Sequence, residues 1–355
     1  MDLLYLAIVS GFSLTDQIWR LSMFQTELVI FIQSYSNDFL DAFFTFITSL
    51  GYSTFTKPFI IVVIFGLNYR MGFLLLHLGV WNGIATDVLK ELFALPRPAN
   101  VDSAVQLLGK DYPNPTQLEG MGAKSFFGLL PRESIEFIRA NRFDSYGFPS
   151  GHTSGSVTIW GGVSLIFKRN WLTIICVAMM LLIPFSRMYL GRHFLADILG
   201  GYILGSSFLY MFYRYVFYNE RLKDFVFNIG EEIKRNTKTI LFILYSFFVP
   251  LLLLLTPKID PDDSATLLGV NIGFFMIRLR GVPSDEGSVA RRICRVLIVF
   301  ILFYGIYFFY GRIAELHLVG DSIVFEYISN VIIMGFLVWS STEINIKFGL
   351  MNRDR

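Results

Sequence analysis

Runs of roughly twenty apolar residues recur along most of this chain, and no other feature constrains its fold as tightly. The runs are read at 52–68, 71–93, 153–168, 171–190, 194–218, 238–256, 264–281, 291–311 and 322–345. Lipid is the solvent that tolerates them, since helices satisfy their own backbone groups there. Composition agrees: 54% of the 355 residues are hydrophobic and 16% charged, against about 25% charged in soluble domains. The fold class expected is therefore all-α, a polytopic membrane bundle of about nine transmembrane helices.

Residues 1–51 break this pattern. Short apolar pieces, Leu3–Phe12 and Leu28–Ile32, alternate with Asp16, Arg20, Glu27 and Asp38, which predicts an amphipathic, interfacial segment. The opening Met1-Asp2-Leu3-Leu4-Tyr5 lacks the basic region of a secretory signal, so insertion is expected to use the chain's own helices. A polar insertion, 99–147, separates the second and third spans; it holds the turn-rich Asp111–Pro115 and an amphipathic stretch, Pro131–Arg139, predicted helical. Residues 219–355 hold the remaining helices. A net charge of +2 argues against a nucleic-acid partner. Cys176 and Cys294, far apart in apolar surroundings, read as packing thiols.

Basic residues orient the chain. With alternating spans, one side collects Arg214, Arg221, Lys223, Lys234, Arg235, Arg278, Arg280, Arg291, Arg292 and Arg295, along with the tail residues Lys347, Arg353 and Arg355. The positive-inside rule makes that side, and the C-terminus, cytoplasmic. The opposite side is expected to face a periplasm, the exterior or a lumen, and a bacterial inner membrane is the expected location.

Three segments on that opposite side carry polar residues that a membrane helix end does not need. They are Lys90-x6-Arg97-Pro98, Pro149-Ser150-Gly151-His152, and Ser186-Arg187-x5-His193-x3-Asp197. Each has a plain structural reading. Lys90 and Arg97 can snorkel to headgroups, Pro-Ser-Gly is a helix-start signal, and His193 and Asp197 fit an intrahelical i,i+4 pair. Together they point to chemistry, because charged residues at membrane depth are costly and usually functional. Three cations suit an oxyanion of high charge. Ser150 and Gly151 open a helix, where N–H groups favour anions. A histidine oriented by a carboxylate is a competent nucleophile, and a second histidine can protonate a leaving oxygen.

These three motifs, in this order, resemble the signature of the type 2 phosphatidic acid phosphatase superfamily, over roughly residues 52–218. The resemblance implies a six-helix phosphatase core, with residues 219–355 as additional helices. It implies His193 as the nucleophile that becomes a phosphohistidine, Asp197 as its orienting partner and His152 as general acid. It implies Lys90, Arg97, Ser150, Gly151 and Arg187 as ligands of the phosphoryl oxygens, with no metal and no cofactor. The expected reaction is metal-independent hydrolysis of a lipid phosphate monoester or diphosphate, such as phosphatidate, phosphatidylglycerol phosphate or undecaprenyl diphosphate. A sugar phosphate, as in glucose-6-phosphatase, and a lipid phosphotransferase with the same intermediate remain alternatives. A transporter is disfavoured by the lack of repeats, and a haloperoxidase by the membrane spans. The C-terminal helices are expected to wall a substrate groove, mediate homo-oligomer formation or pad the bundle.

Three side chains lie outside these motif positions. His77, inside the second span, reads as a packed, hydrogen-bonded histidine. His317 reads as a solvated loop residue. Arg192 is a candidate for steering an anionic substrate or binding headgroups.

Overall fold

The computed structural model describes residues 24–109, 116–124, 128–141, 146–227, 237–254, 261–315 and 323–353. Leu3–Phe12, the Asp111–Pro115 turn and His317 lie outside the described residues. In chain order the helices are α1 (Glu27–Gln33), α2 (Asp38–Ser49), α3 (Ser53–Ile61), α4 (Tyr69–Phe93), α5 (Pro98–Val101), α6 (Arg132–Asn141), α7 (Gly151–Phe167) and α8 (Asn170–Tyr189). They continue with α9 (Leu195–Phe212), α10 (Glu220–Phe227), α11 (Thr237–Ile243), α12 (Val249–Leu254), α13 (Pro261–Arg278), α14 (Val289–Glu315) and α15 (Ile323–Lys347). Wider π-helical turns extend α3 over Val62–Leu67 and α9 over Tyr213–Phe217, and another, Leu244–Phe248, joins α11 to α12. Among the described residues there is no strand, only an isolated bridge between Pro283 and Arg353.

Among the described residues, all nine apolar runs are largely helical. Among them, five helices are long and apolar enough to cross a membrane on their own, or up to six when Asp38–Ser49 and Ser53–Leu67 are counted together as one broken span. Of the nine expected spans, the described residues support five or six by length and apolarity. Helix α7 has 17 residues and is rich in hydroxyls, which are satisfied within the helix. Ser156 Oγ donates to the Thr153 carbonyl at 2.9 Å and Thr158 Oγ1 to that of Ser154 at 3.0 Å.

The chain forms two compact units. The first comprises the residues up to Tyr52, Leu89–Gly161 and Asn170–Ser206, and it holds every motif residue. Its N-terminal part, expected to be interfacial, contributes α1 and α2, both packed against α8. Asn37 caps α2 by accepting from the Leu40 N–H at 3.1 Å, with Asp38 and Asp41 in the first turn, where acidic residues suit the helix dipole. Phe44 of α2 sits against the Tyr189 ring with centroids 4.5 Å apart. Gln33 of α1 donates to the carbonyls of Tyr189, at 3.0 Å, and Gln106, at 2.6 Å, and so ties the end of α8 to the insertion.

The amphipathic stretch of the insertion forms α6, as its spacing predicts. Ser134 and Ile138 are buried at helical spacing, and Ile138 joins a core cluster with Phe24, Leu118, Tyr146 and Phe194. Helix α9 meets α7 very closely. A Cβ at Gly201 would lie 2.6 Å from Thr153 Cβ and 2.7 Å from the Ser150 carbonyl oxygen, so only glycine permits this approach.

The second unit comprises Ser53–Val88, Gly162–Arg169 and Ser207–Arg355. Its α13 and α15 pack through Gly269 and Gly273 of α13, where an added Cβ would press on the α15 backbone. His77 is packed and hydrogen-bonded, as expected: Nε2 faces Asn271 Oδ1 at 2.8 Å, and Asn271 donates to the Ser246 carbonyl at 2.9 Å. Beside it lies an apolar cavity of about 910 Å³ walled by Phe73, Trp81, Phe242 and Phe274. None of the cavity's lining residues belongs to the three motifs. Several basic residues of the side expected to be cytoplasmic cap carbonyls here. Arg292 donates to Leu67, Arg278 to Phe225 and Arg295 to Leu350. Both cysteines are free; Cys176 is buried in the first unit and Cys294 exposed in the second.

Candidate active site

The third motif turns the chain from α8 into α9. Gly191 makes the turn at a φ of +73°, a conformation glycine adopts without a Cβ penalty. His193 follows, and Asp197 stands one turn further on α9; they are 2% and 0% exposed. Asp197 Oδ2 accepts from His193 Nδ1–H at 3.1 Å and from the Phe194 N–H at 3.0 Å. A carboxylate at Nδ1 keeps the proton there and leaves the Nε2 lone pair for attack. Burial, then the positive charge of Arg97, Arg187 and Lys90 and the neighbouring His152, holds the His193 imidazole well below its ordinary value of 6.5. Both effects favour the neutral ring.

The second motif is tied to the third through backbone. The Ser150 N–H donates to the Asp197 carbonyl at 2.9 Å, and the Gly147 N–H to the Leu95 carbonyl at 2.8 Å. Ser150 stands ahead of α7 and is fully buried; its Oγ accepts from Thr153 Oγ1 at 3.0 Å. Its backbone donor is thus committed inside the protein, and what it can offer an anion is the hydroxyl proton. Gly151 and His152 form the first turn of α7 and are half-buried. The His152 Nε2 atom is enclosed and has no hydrogen-bond partner among the described residues.

The first motif reaches the same place by a turn with no sequence signal. Helix α4 ends at Phe93, and Ala94 takes a φ of +49°, which costs a residue with a Cβ roughly 1 kcal/mol. The following residues bring Arg97 to the third motif, where Nη1 donates to the Arg192 carbonyl at 3.2 Å. Lys90, in the last turn of α4, and Arg97 are half-buried, and Arg187 is buried. The charges of Lys90, Arg97 and Arg187 all reach His193.

The structure thus brings together His193, Asp197, His152, Lys90, Arg97, Ser150, Gly151 and Arg187. Arg192 is different. It is buried, its Nη2 donates to the Leu108 carbonyl at 3.3 Å, and its own carbonyl positions Arg97. It acts in this structure as a brace between insertion and motif. Two residues of the site escaped the sequence analysis. Thr48 Oγ1 and Tyr52 Oη accept from Arg187 Nη1 at 3.0 and 3.1 Å. No motif flags them, because they lie in and just past a segment expected to be interfacial.

Chemically, this is a largely buried cationic cluster with one histidine oriented by a carboxylate and one further histidine. Buried donors without partners are uncommon in proteins. His152 Nε2 and Arg187 Nε are two such atoms, suited to the oxygens of a tetrahedral oxyanion.

The fold and the site define a helical protein with membrane-length apolar helices and a largely buried cluster of cations and histidines. Residues 71–221 match the family model described as the PAP2 superfamily. The chain is similar to phosphatidylglycerophosphatase B of Bacillus subtilis, 27% identical over 199 residues, covering 52% of this chain and 78% of that protein. It is similar to undecaprenyl-diphosphatase BcrC of the same organism, 24% identical over 204 residues, covering 56% of this chain and 87% of that protein. It also resembles lipid A 4'-phosphatase of Porphyromonas gingivalis, 32% identical over 84 residues, or 23% of this chain. In that last case the match spans 36% of the relative's length. No solved structure matches the chain.

Proposed function

We propose that this protein is a metal-independent membrane phosphatase that hydrolyses a lipid phosphate monoester or diphosphate through a phosphohistidine on His193. The observation that carries the reading is the buried His193–Asp197 pair in the field of Lys90, Arg97 and Arg187. In the first step the His193 Nε2 lone pair forms a bond to phosphorus while the bond to the leaving oxygen breaks. His152 gives that oxygen its proton. The phosphorylated imidazole carries a positive charge, and the Asp197 carboxylate on Nδ1 offsets it. In the second step His152 takes a proton from water, the water oxygen attacks phosphorus, and the P–N bond breaks to release inorganic phosphate. Lys90, Arg97 and Arg187, with donors from Ser150 and Gly151, stabilise the charge on the equatorial oxygens, where most phosphoryl-transfer catalysis resides.

A lipid substrate is supported by the surface around the motif residues. Leu92, Phe93, Leu129 and Phe137 are exposed, Leu129 at 78%. Arg139 of α6 donates to the Leu92 carbonyl at 3.0 Å, which clamps the insertion helix onto the end of α4. This apolar rim suits acyl or prenyl chains arriving through the outer leaflet. The names of two relatives, phosphatidylglycerophosphatase B and undecaprenyl-diphosphatase, favour the same class. Deleting α6 would be a poor test of lipid entry, because Ile138 shares a core cluster with Phe194, the neighbour of the nucleophile. Polar substitution of the exposed face is cleaner. Leu129→Ser with Phe137→Ser is expected to lower turnover of a long-chain lipid phosphate about tenfold while leaving p-nitrophenyl phosphate within about twofold. Equal losses on both substrates would assign the rim a purely structural role.

The reaction is tested by phosphate release from purified protein in EDTA, using phosphatidate, phosphatidylglycerol phosphate, undecaprenyl diphosphate and glucose 6-phosphate. Release from one or more of the lipids is the expected result. Release confined to the sugar phosphate, or dependence on added metal, would overturn the proposal.

A further inference from the structure

Residues 71–221 account for every motif residue, yet the cation deepest in the site is held by side chains that precede this region. Arg187 Nη1 donates to both Thr48 Oγ1 and Tyr52 Oη. The guanidinium also lies over the Tyr52 ring, 5.7 Å from its centroid. The same ring meets the His152 imidazole, with centroids 4.5 Å apart and planes at 87°. Between the two hydroxyl residues, Gly51 leaves room for that imidazole: a Cβ there would lie 2.8 Å from His152 Cδ2 and 3.0 Å from Ile183 Cγ2.

Guanidinium geometry gives this arrangement a consequence. Arginine binds two oxygens through one edge of its planar fork. With Nη1 tied to two hydroxyls, the edge carrying Nε faces away from the anchor, and Nε is buried with no partner among the described residues. The tyrosine ring adds a cation–π contact to Arg187 and a T-shaped ring contact to His152. One short segment therefore orients the phosphate-binding arginine and the second histidine together.

We propose that Thr48, Gly51 and Tyr52 form a positioning element of the active site, holding Arg187 with its Nε edge toward the phosphoryl group and His152 in line with the leaving oxygen. This rests on the phosphatase reading above. None of the three touches the reacting atoms; they act through Arg187 and His152.

The test uses the full chain in detergent and measures kcat and KM on p-nitrophenyl phosphate and a lipid phosphate, inhibition by vanadate, and thermal stability. Activity of the parent protein that His193→Ala abolishes is the control; if it is absent, the phosphatase reading fails and the fault does not lie with the positioning element. Given that activity, Tyr52→Phe keeps the ring and removes one acceptor, and Thr48→Val removes the other with its shape conserved. Each is expected to lower kcat and weaken vanadate inhibition about tenfold, and the pair together about a hundredfold, with thermal stability near the parent value. Thr48→Ser, which retains the hydroxyl, is expected to restore most of the loss. In an Arg187→Ala background Tyr52→Phe should have little further effect, because its partner is gone. Parent-like kcat and vanadate inhibition in the Tyr52→Phe, Thr48→Val double variant would overturn the proposal, as would an undiminished Tyr52→Phe effect without Arg187.

Discussion

His193→Ala is expected to abolish phosphate release, with a fall in kcat on the order of 10⁴-fold or more, and to eliminate any phosphoenzyme trapped by acid quench. The reason lies in the geometry of one ring. Asp197 accepts the Nδ1 proton at 3.1 Å, and the pair is nearly sealed from solvent. Burial first, and then the surrounding cations, hold the imidazole well below its ordinary value, which favours a neutral ring with a lone pair in place. No other histidine can replace it: His152 approaches from the start of α7 and has no carboxylate hydrogen-bonded to it among the described residues. The variant is expected to fold, because alanine at this position removes a side chain without unseating the Phe194 N–H from Asp197. Phosphate release near the parent rate, or a phosphoenzyme that persists, would refute the assignment.

The second large effect belongs to His152→Ala and depends on the leaving group. A general acid contributes roughly 10²–10⁴-fold when the leaving oxygen needs a proton. An alkoxide such as the glycerol oxygen of phosphatidate needs one badly, so turnover of that substrate is expected to drop by about 10³-fold. p-Nitrophenolate leaves without help, so formation of the phosphoenzyme from p-nitrophenyl phosphate should fall far less. Hydrolysis of the phosphoenzyme still requires a base for water. The variant should therefore show a burst of p-nitrophenol followed by slow turnover, with labelled phosphohistidine accumulating on His193. Identical losses for both leaving groups, without a burst, would remove His152 from proton transfer and leave it a binding role.

Much of this site was legible in the sequence, for a physical reason. Phosphoryl transfer needs particular residue types: a nucleophile with its carboxylate at i,i+4, cations with guanidinium or ammonium geometry, and a helix start next to a histidine. Those requirements leave local spacings that survive in a linear string, as in Ser186-Arg187-x5-His193-x3-Asp197. The helices were legible in the same way, because lipid demands unbroken apolar runs. Their number as independent spans was not. Whether a short helix such as α7 crosses the membrane or is buried within protein depends on its neighbours.

What the sequence determined by itself was the fold class, the candidate side chains that the structure brings together and the helical nature of the insertion stretch at α6. Tertiary structure alone decided the rest. It turned Arg192 from a surface candidate into a buried brace, set α6 against the core beside Phe194, and built the N-terminal helices into the first unit. It also paired Arg187 with Thr48 and Tyr52 across 139 and 135 positions of chain. Such contacts leave no local trace, because any hydroxyl that reaches Nη1 serves as an acceptor, and which one reaches it is settled only by how α2 packs on α8.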